Sequence, residues 1–121
     1  MKVECDVNPL IPELRLFHKK KKFLRWCAER FGQAPEVIEG ADAQMVYVDG
    51  VAAVLFRVED EPVWENALIV HESYHIVCAH LHAIGEESAG EEIFAYLIQC
   101  VSGSLMEAHG RWRARHASDE D

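Results

Sequence analysis

The chain has 121 residues, 50% of them hydrophobic, so it has room for one domain with a modest core. Its 21 acidic residues against 12 Lys and Arg give a formal net charge of -9, which disfavours nucleic acid and anionic membrane surfaces as partners. The first residues are charged where a signal peptide is apolar, and no apolar run approaches the ~20 residues that span a bilayer, so we expect a cytoplasmic protein without a membrane partner.

The first predicted element is a helical segment over residues 13–31. Before it, Pro9 and Pro12 favour extended or turn-like backbone. Apolar residues then recur at intervals of three, four and seven, and Gly32 follows them as the usual C-terminal stop of a helix. Four lysines at 19–22 interrupt the pattern and indicate either a solvated helix face or a loop between two shorter helices.

A β-hairpin is predicted around Asp49 and Gly50. The apolar stretches 45–48 and 51–58 flank this dipeptide, which is a favoured two-residue hairpin turn. The acidic residues at 59–61 suit a loop that leads into a helix. The hairpin therefore predicts a small, mostly antiparallel sheet.

A long helix is predicted over residues 64–84. Pro62 suits its first turn, and Gly85 supplies the stop. A broad apolar stripe along this helix should face the core. Its members are Ala67, Leu68, Val70, Tyr74, Val77, Cys78, Leu81 and Ile84.

The last predicted helix runs from residue 91 to about residue 109. Its inward-facing residues are expected to be Ile93, Phe94, Leu97, Ile98, Val101, Leu105 and Met106. Gly110 should end the helix, so residues 111–121 are predicted to form a flexible tail. The arginines of this tail are expected to be solvated: Arg111, Arg113 and Arg115. The four cysteines are widely spaced and form no CxxC pair, which predicts reduced thiols: Cys5, Cys27, Cys78 and Cys100.

The chemistry-bearing motif is His71-Glu72-Ser73-Tyr74-His75, an HExxH pattern inside the predicted long helix. Spacing i, i+4 places the imidazoles of His71 and His75 on one face, about 6 Å apart along the axis, where both can reach one zinc ion. Glu72 is rotated by about 100° from His71, in a position to contact the attacking water, and is the candidate general base. The alternative is a pair of ordinary helix histidines. The other histidines considered are expected at the surface: His80, His82, His109 and His116.

A catalytic zinc site usually has three protein ligands, so a third ligand must come from elsewhere in the chain. His82 lies too far along a straight helix, roughly 10 Å beyond the motif. The extended motif that supplies a third histidine is excluded, because Cys78 and Leu81 occupy its glycine and histidine positions. Glu92 in the next helix is the preferred donor, and Glu91 is the second choice.

On these residues the chain resembles the gluzincin metallopeptidases, in particular the very small minigluzincins and small phage- or prophage-encoded proteins of similar length. The likeness covers an HExxH helix followed, after a short loop, by Glu92-Ile93-Phe94-Ala95-Tyr96. It implies a compact, zincin-like α+β domain over residues 1–121, in a bacterial or phage-infected cell. The resemblance implies roles for five residues. His71, His75 and Glu92 would be the zinc ligands, Glu72 would be the general base, and Tyr96 would be a further catalytic candidate.

The implied activity is zinc-dependent hydrolysis of a peptide or unfolded protein, which would add as an extended strand to an edge strand of the hairpin. Tyr96 and His109 are candidate donors to the oxyanion. The alternative function is a non-catalytic, zinc-stabilised interaction protein of phage origin. A latent enzyme, with His116 or an acidic residue of the tail at the open zinc position, is a further hypothesis. Nucleic-acid binding through the lysines at 19–22 and the tail arginines is opposed by the overall acidity. The sequence leaves the oligomeric state open.

Overall fold

The computed structural model describes residues 1–4, 9–57, 60–86 and 88–119, and over these residues the chain is a small α+β fold. Within the described part, four strands form one mixed sheet in the order β1-β2-β4-β3, and there are three helices. Strands β2 and β4 pair in parallel, whereas the other two pairings are antiparallel. The elements are β1 Lys2–Val3, β2 Glu13–Phe17, α1 Lys20–Phe31, β3 Ala43–Val48, β4 Val51–Phe56, α2 Pro62–Ala83 and α3 Glu91–Asp119.

The segment Glu13–Phe17 is a strand, so the prediction of helix over residues 13–31 is wrong for its first part. Leu14 and Leu16 are buried and alternate with the partly exposed Glu13 and Arg15, which is the period of a strand with one face in the core. The local sequence allows both readings, and pairing with β4 some forty residues later decides between them. The four lysines span the loop and the first turn of α1, and Gly32 ends this helix with φ 79°.

The predicted hairpin is confirmed. Its turn residues Asp49 and Gly50 have φ 46° and 81°, the positive values that a two-residue hairpin turn of the I′ type requires. Strand β4 is buried along its whole length because it lies between β2 and β3 with helices on both faces. Strand β3 forms one edge of the sheet.

Two apolar clusters cover the opposite faces of the sheet. On one face, Leu14, Leu16 and Val54 pack with the buried residues of α2 and α3. On the other face, Ala53 and Leu55 pack with α1, where a smaller cluster includes three more buried residues: Phe17, Phe23 and Cys27. The chain therefore has three layers, with α1 on one side of the sheet and the α2–α3 pair on the other.

Helix α2 has the predicted limits within two residues, and Pro62 is its first residue, but its buried face differs from the expected one. Val70 and Tyr74 are 41% and 50% exposed, which corrects their assignment to the core stripe; Ala67 and Ile84 are exposed as well. The buried face carries four polar residues among its apolar ones: Glu65, Glu72, Ser73 and His80. The predicted stripe is right for Val77 and Leu81, which are buried, and wrong for its exposed members, because polar groups occupy part of the inner face.

Helix α3 does not end at Gly110 but continues to Asp119, so residues 111–119 are helical where a tail was predicted. An interior glycine costs a helix about 1 kcal/mol relative to alanine. Beyond it, Trp112 and Arg113 contact His18 and Glu65 in other elements, and these contacts offset that cost. Ile93, which was expected to face inward, is exposed.

Of the predicted reduced thiols, Cys27, Cys78 and Cys100 are free, whereas Cys5 lies outside the described residues. The predictions for Val58, Glu59 and residues 120–121 also fall outside them. No helix in the described part of the chain is long and apolar enough to cross a membrane.

Candidate metal centre

His71 and His75 lie one turn apart on the solvent side of α2. Both side chains are exposed, and their ring centroids are 5.0 Å apart with an interplanar angle of 73°. The i, i+4 spacing has therefore brought the two imidazoles together, as the motif predicts.

Glu72 lies between the two histidines in sequence, but its side chain is on the buried face of α2, where it is 8% exposed. Burial raises the pKa of this carboxyl above its ordinary value, and the nearby His71 and His75 partly oppose that change. A carboxyl with a raised pKa accepts and holds a proton more readily than an exposed glutamate does. This is the property that a general base near neutral pH requires.

The proposed third ligand, Glu92, is exposed in the first turn of α3, as is the second choice, Glu91. Over the described residues, no three His, Cys, Asp or Glu side chains form a group that could hold a metal ion. The structure thus brings His71 and His75 together, keeps Glu72 on the buried face of the same turn, and does not place Glu92 in one ligand group with the histidines. Tyr96, one turn after Glu92, is 54% exposed.

An aromatic contact joins the start of α3 to the histidine pair. The ring of Tyr74 lies 5.7 Å from that of His75 and 5.7 Å from that of Phe94. Because Phe94 belongs to the same first turns of α3 as Glu92, this contact fixes the side of α3 that faces the HExxH helix.

A shallow pocket of about 380 Å³ opens beside His71. Asp42 and Asp60 give it an acidic wall, while Trp64 and Leu68 give it an apolar one. Asp42 directly precedes β3, so the pocket lies where the edge strand of the sheet begins. The expected edge strand in the hairpin is present, and it is β3.

His80 is not a surface residue, as the sequence had suggested, but is buried against β3. Its Nε2 donates to the carbonyl oxygen of Pro9 at 3.0 Å, because that oxygen can only accept. Its Nδ1 then accepts from the hydroxyl of Tyr47 at 2.6 Å. The residue therefore ties α2 to β3 and to the N-terminal segment.

His109 is also buried, which corrects its assignment to the surface. Its Nε2 donates to Glu65 Oε1 at 2.8 Å, and its Nδ1 lies 2.9 Å from Nε2 of His18. With both ring nitrogens engaged in this buried cluster, His109 is removed as an oxyanion donor at the HExxH site. Arg113 forms a second ion pair with Glu65.

Glu65 keeps its charge in this cluster. Burial alone would raise the pKa of its carboxyl, but hydrogen bonds from His109 and from the backbone N–H of Asp60, with the charge of Arg113, lower it below the ordinary value. Sequence reasoning missed the cluster because Glu65 has the pattern of a first-turn acidic residue and its partners lie in α3. Only their packing in the fold reveals the pairing.

His18 continues the cluster toward solvent. Burial, followed by repulsion from His109 and His116, lowers the pKa of His18 to about 3, so the ring is uncharged at neutral pH. Trp112 stacks on it at 3.8 Å between centroids, and His116 stacks on Trp112 at 4.2 Å. The imidazole of His116 is held in this stack and is thereby removed as the blocking group of the latency hypothesis. The acidic tail residues that were its alternative are not among the side chains that the structure describes: Asp119, Glu120 and Asp121.

No family model matches the chain, and no curated protein or solved structure is found to be similar to it. The likeness to gluzincins consequently rests on the HExxH and Glu92 motifs of the sequence.

Proposed function

We propose that the protein is a zinc-dependent peptidase of the zincin type, in which His71 and His75 would hold the metal ion. One observation carries the proposal: two exposed imidazoles, 5.0 Å apart, flank a buried glutamate whose pKa is raised. A structural zinc site has no use for such a glutamate, and usually has four ligands rich in cysteine.

The donor set fits zinc in its chemistry. Imidazole nitrogen and carboxylate oxygen are usual zinc ligands, and catalytic sites combine three of them with one open position. Glu92 is the proposed third ligand, and its exposed side chain can change rotamer without disturbing the core. When bound, the ion would polarise the carbonyl group of the scissile peptide bond.

Glu72 is the proposed general base. As the oxygen of water bonds to the carbonyl carbon, the Glu72 carboxylate takes a proton from that water. It then delivers the proton to the amide nitrogen while the carbon–nitrogen bond breaks, so the products are a carboxylic acid and an amine. Its burial favours the protonated form that must exist between these two transfers.

The surroundings of His71 support a peptide or unfolded protein as the substrate. An extended peptide can add to the edge strand β3 through main-chain hydrogen bonds, which would carry it along α2. The pocket that contains Asp42, Asp60 and Trp64 would then receive a side chain with a long apolar stem and a positive end, such as arginine or lysine. Tyr96 is kept as a candidate donor to the oxyanion.

A second candidate function is that of a non-catalytic interaction protein, in which any bound zinc would only stabilise the fold. The observation that favours it is an exposed apolar stripe along α2, next to the histidine pair. The members of this stripe are Val63, Trp64, Val70 and Tyr74. The same surface would serve either a substrate or a partner, so catalysis has to be measured directly.

The test is zinc content by elemental analysis on the purified protein and on matched alanine variants. We expect near-stoichiometric zinc in the wild type and its loss in His75→Ala. In Glu92→Ala, zinc binding should weaken at least about tenfold. His82→Ala is the control, because His82 is an exposed histidine of the same helix and should keep the metal.

Folded wild-type protein that takes up no added zinc would contradict the proposal. Loss of zinc in His75→Ala but not in Glu92→Ala would refute Glu92 as the ligand, and Glu91→Ala would then be measured. Zinc binding without hydrolysis of any member of a mixed peptide library would favour the interaction protein.

A further inference from the structure

A second pocket is lined by His18, Trp112 and His116. These residues form the end of the histidine cluster that is farther from Glu65 of α2. The pocket has a volume of about 420 Å³ and is formed where β2 ends, α1 begins and α3 approaches its C-terminal turns. Its lining contains none of the proposed zinc ligands or Glu72. It is therefore a separate site whose occupancy does not depend on the HExxH motif.

Three side chains that are positively charged at neutral pH line this pocket, as does Met1, which has the N-terminal amino group. Lys19 and Lys22 come from the lysine run before and within α1, and Arg115 comes from the last turns of α3. Among the described residues that line the pocket there is no Asp or Glu. Both basic segments have the pattern of solvated residues in the sequence, and only the continuation of α3 past Gly110 brings them to one site.

This concentration of positive charge is unusual for a chain with a formal net charge of -9. Like charges that share a concave surface repel each other, and the field between them attracts an anion. Helix α1 adds to the effect, because its first turn contains Lys22 and no acidic residue, although the positive end of a helix dipole favours negative charge. An anion in the pocket would reduce both the repulsion among the cations and the unfavourable interaction of Lys22 with the positive end of α1.

The inner wall of the pocket is fixed before any ligand binds. Glu65 accepts from His109, His109 contacts His18, and Trp112 is stacked between His18 and His116. A wall whose rings are already held in place loses little side-chain entropy on binding, and this favours affinity. Leu16 and Phe17 extend the wall with an apolar surface.

We propose that this pocket binds a small molecule with adjacent phosphate groups, and that Lys19, Lys22 and Arg115 contact those groups. Three positive side chains match the charge of a diphosphate better than that of a single carboxylate. The guanidinium of Arg115 can form paired hydrogen bonds with phosphate oxygens, and the lysines act as point charges. The volume is in the range of small-molecule sites, and Leu16 and Phe17 can receive an uncharged part of the ligand.

The test uses inorganic pyrophosphate as the probe, with binding to full-length, metal-stripped protein measured by isothermal titration calorimetry. Removal of metal prevents pyrophosphate from being held at the HExxH site. We expect Lys22→Gln and Arg115→Gln each to weaken binding by on the order of tenfold. Lys21→Gln is the matched control, since Lys21 is an exposed residue of the same turn that does not line the pocket, and its effect should be less than about twofold.

The folding of each variant is checked by circular dichroism, and Lys19→Gln replaces Arg115→Gln if the latter unfolds. His71→Ala should bind pyrophosphate as the wild type does, which separates this proposal from the proposed peptidase function. An absence of binding at millimolar pyrophosphate would overturn the proposal, and so would an equal loss in Lys21→Gln and Lys22→Gln. Equal affinity for orthophosphate would refute the requirement for adjacent phosphates. Binding of a single-stranded oligonucleotide without binding of pyrophosphate would indicate a nucleic-acid surface instead.

Discussion

Glu65 of α2 and His109 of α3 form a hydrogen bond of 2.8 Å between side chains that are only 5% and 4% exposed. The bond joins the first turn of the HExxH helix to the part of α3 that was expected to be its end. Arg113 contacts the same carboxylate from one turn later. The buried pair Glu65 and His109, joined by the partly exposed Arg113, therefore holds the two helices in register.

We predict that Glu65→Ala lowers the free energy of unfolding by about 3 kcal/mol, because it leaves the buried His109 and its neighbour Arg113 without their acceptor. Chemical denaturation in urea measures the change. Glu107→Ala is the control, since Glu107 pairs with Arg111 at the surface and should cost less than about 0.5 kcal/mol. Equal losses in the two variants would show that the buried pair contributes no more than the exposed one.

His18 should make the stability depend on pH. Its pKa falls from 6.5 in the unfolded chain to about 3 in the fold, so the folded state binds fewer protons between these values. The contribution of neutral His18 is therefore fully present above about pH 6.5 and is lost as the pH falls toward 3. After allowance for partial solvent access, we expect a loss of about 1 kcal/mol between pH 7.5 and pH 5.

Urea denaturation of metal-free protein at those two pH values tests this expectation. The charged and titratable groups that face His18 are His109, His116, the N-terminal amino group of Met1, and Glu65. The variant His18→Gln keeps a polar side chain but cannot titrate, so its stability should change less with pH than that of the wild type. An unchanged pH dependence in this variant would assign the effect to another group.

Glu72→Gln tests the proposed mechanism. The amide cannot accept the proton of the attacking water, so kcat/KM for a cleaved peptide should fall by about 10³-fold while zinc content stays the same. The fold should survive, because burial already disfavours the charged form of this carboxyl. Glu86→Gln, an exposed change beyond the end of α2, is the control. Retained turnover in Glu72→Gln would eliminate Glu72 as the base.

The acidic pocket beside His71 predicts a preference for basic side chains. Asp42→Asn and Asp60→Asn together should reduce the preference for arginine or lysine over leucine at one substrate position by roughly tenfold. Profiling a peptide library with the wild type and the double variant measures the ratio. A ratio that does not change would place the substrate elsewhere on α2.

Gly110→Ala should stabilise the protein. Gly110 lies inside α3 with no positive φ, and a methyl group there would meet no atom within 4 Å other than those of its own stretch of helix backbone. Alanine in such a helix position is worth about 0.5–1 kcal/mol. Gly103→Ala is the matched comparison, since Gly103 has the same surroundings earlier in the helix. A gain at Gly103 alone, measured by thermal unfolding, would contradict the helix beyond residue 110.

Local patterns predicted the parts of the fold that local rules determine. Asp49 and Gly50 specify a hairpin, and Pro62 marks the start of α2, because turn geometry and proline stereochemistry act over a few residues. The motif likewise predicted that His71 and His75 would meet on one helix face.

The predictions were wrong where residues distant in sequence determine the local structure. Strand β2 needs β4 as its partner. The inner face of α2 can contain Glu65 and His80 because these side chains form hydrogen bonds with residues elsewhere in the chain. The sequence around Gly110 predicts the end of a helix, yet α3 continues because Trp112 packs on His18. No property of residues near in sequence reports these pairings, which is why the histidine cluster was missed.

The parallel pairing of β2 with β4 also has a consequence for how the chain reaches its native state. Strand β2 pairs with β4, where Glu13 lies opposite Val51, and His18, which directly follows β2, contacts His109, which lies 91 residues later, so β2 has all of its contacts only once α3 has formed. These contacts cannot form before their partners have been synthesised, so we expect residues 13–18 to stay incompletely protected on the ribosome until α3 has emerged. Protease sensitivity of stalled nascent chains, compared before and after residue 113 leaves the exit tunnel, would show whether protection comes at that late step.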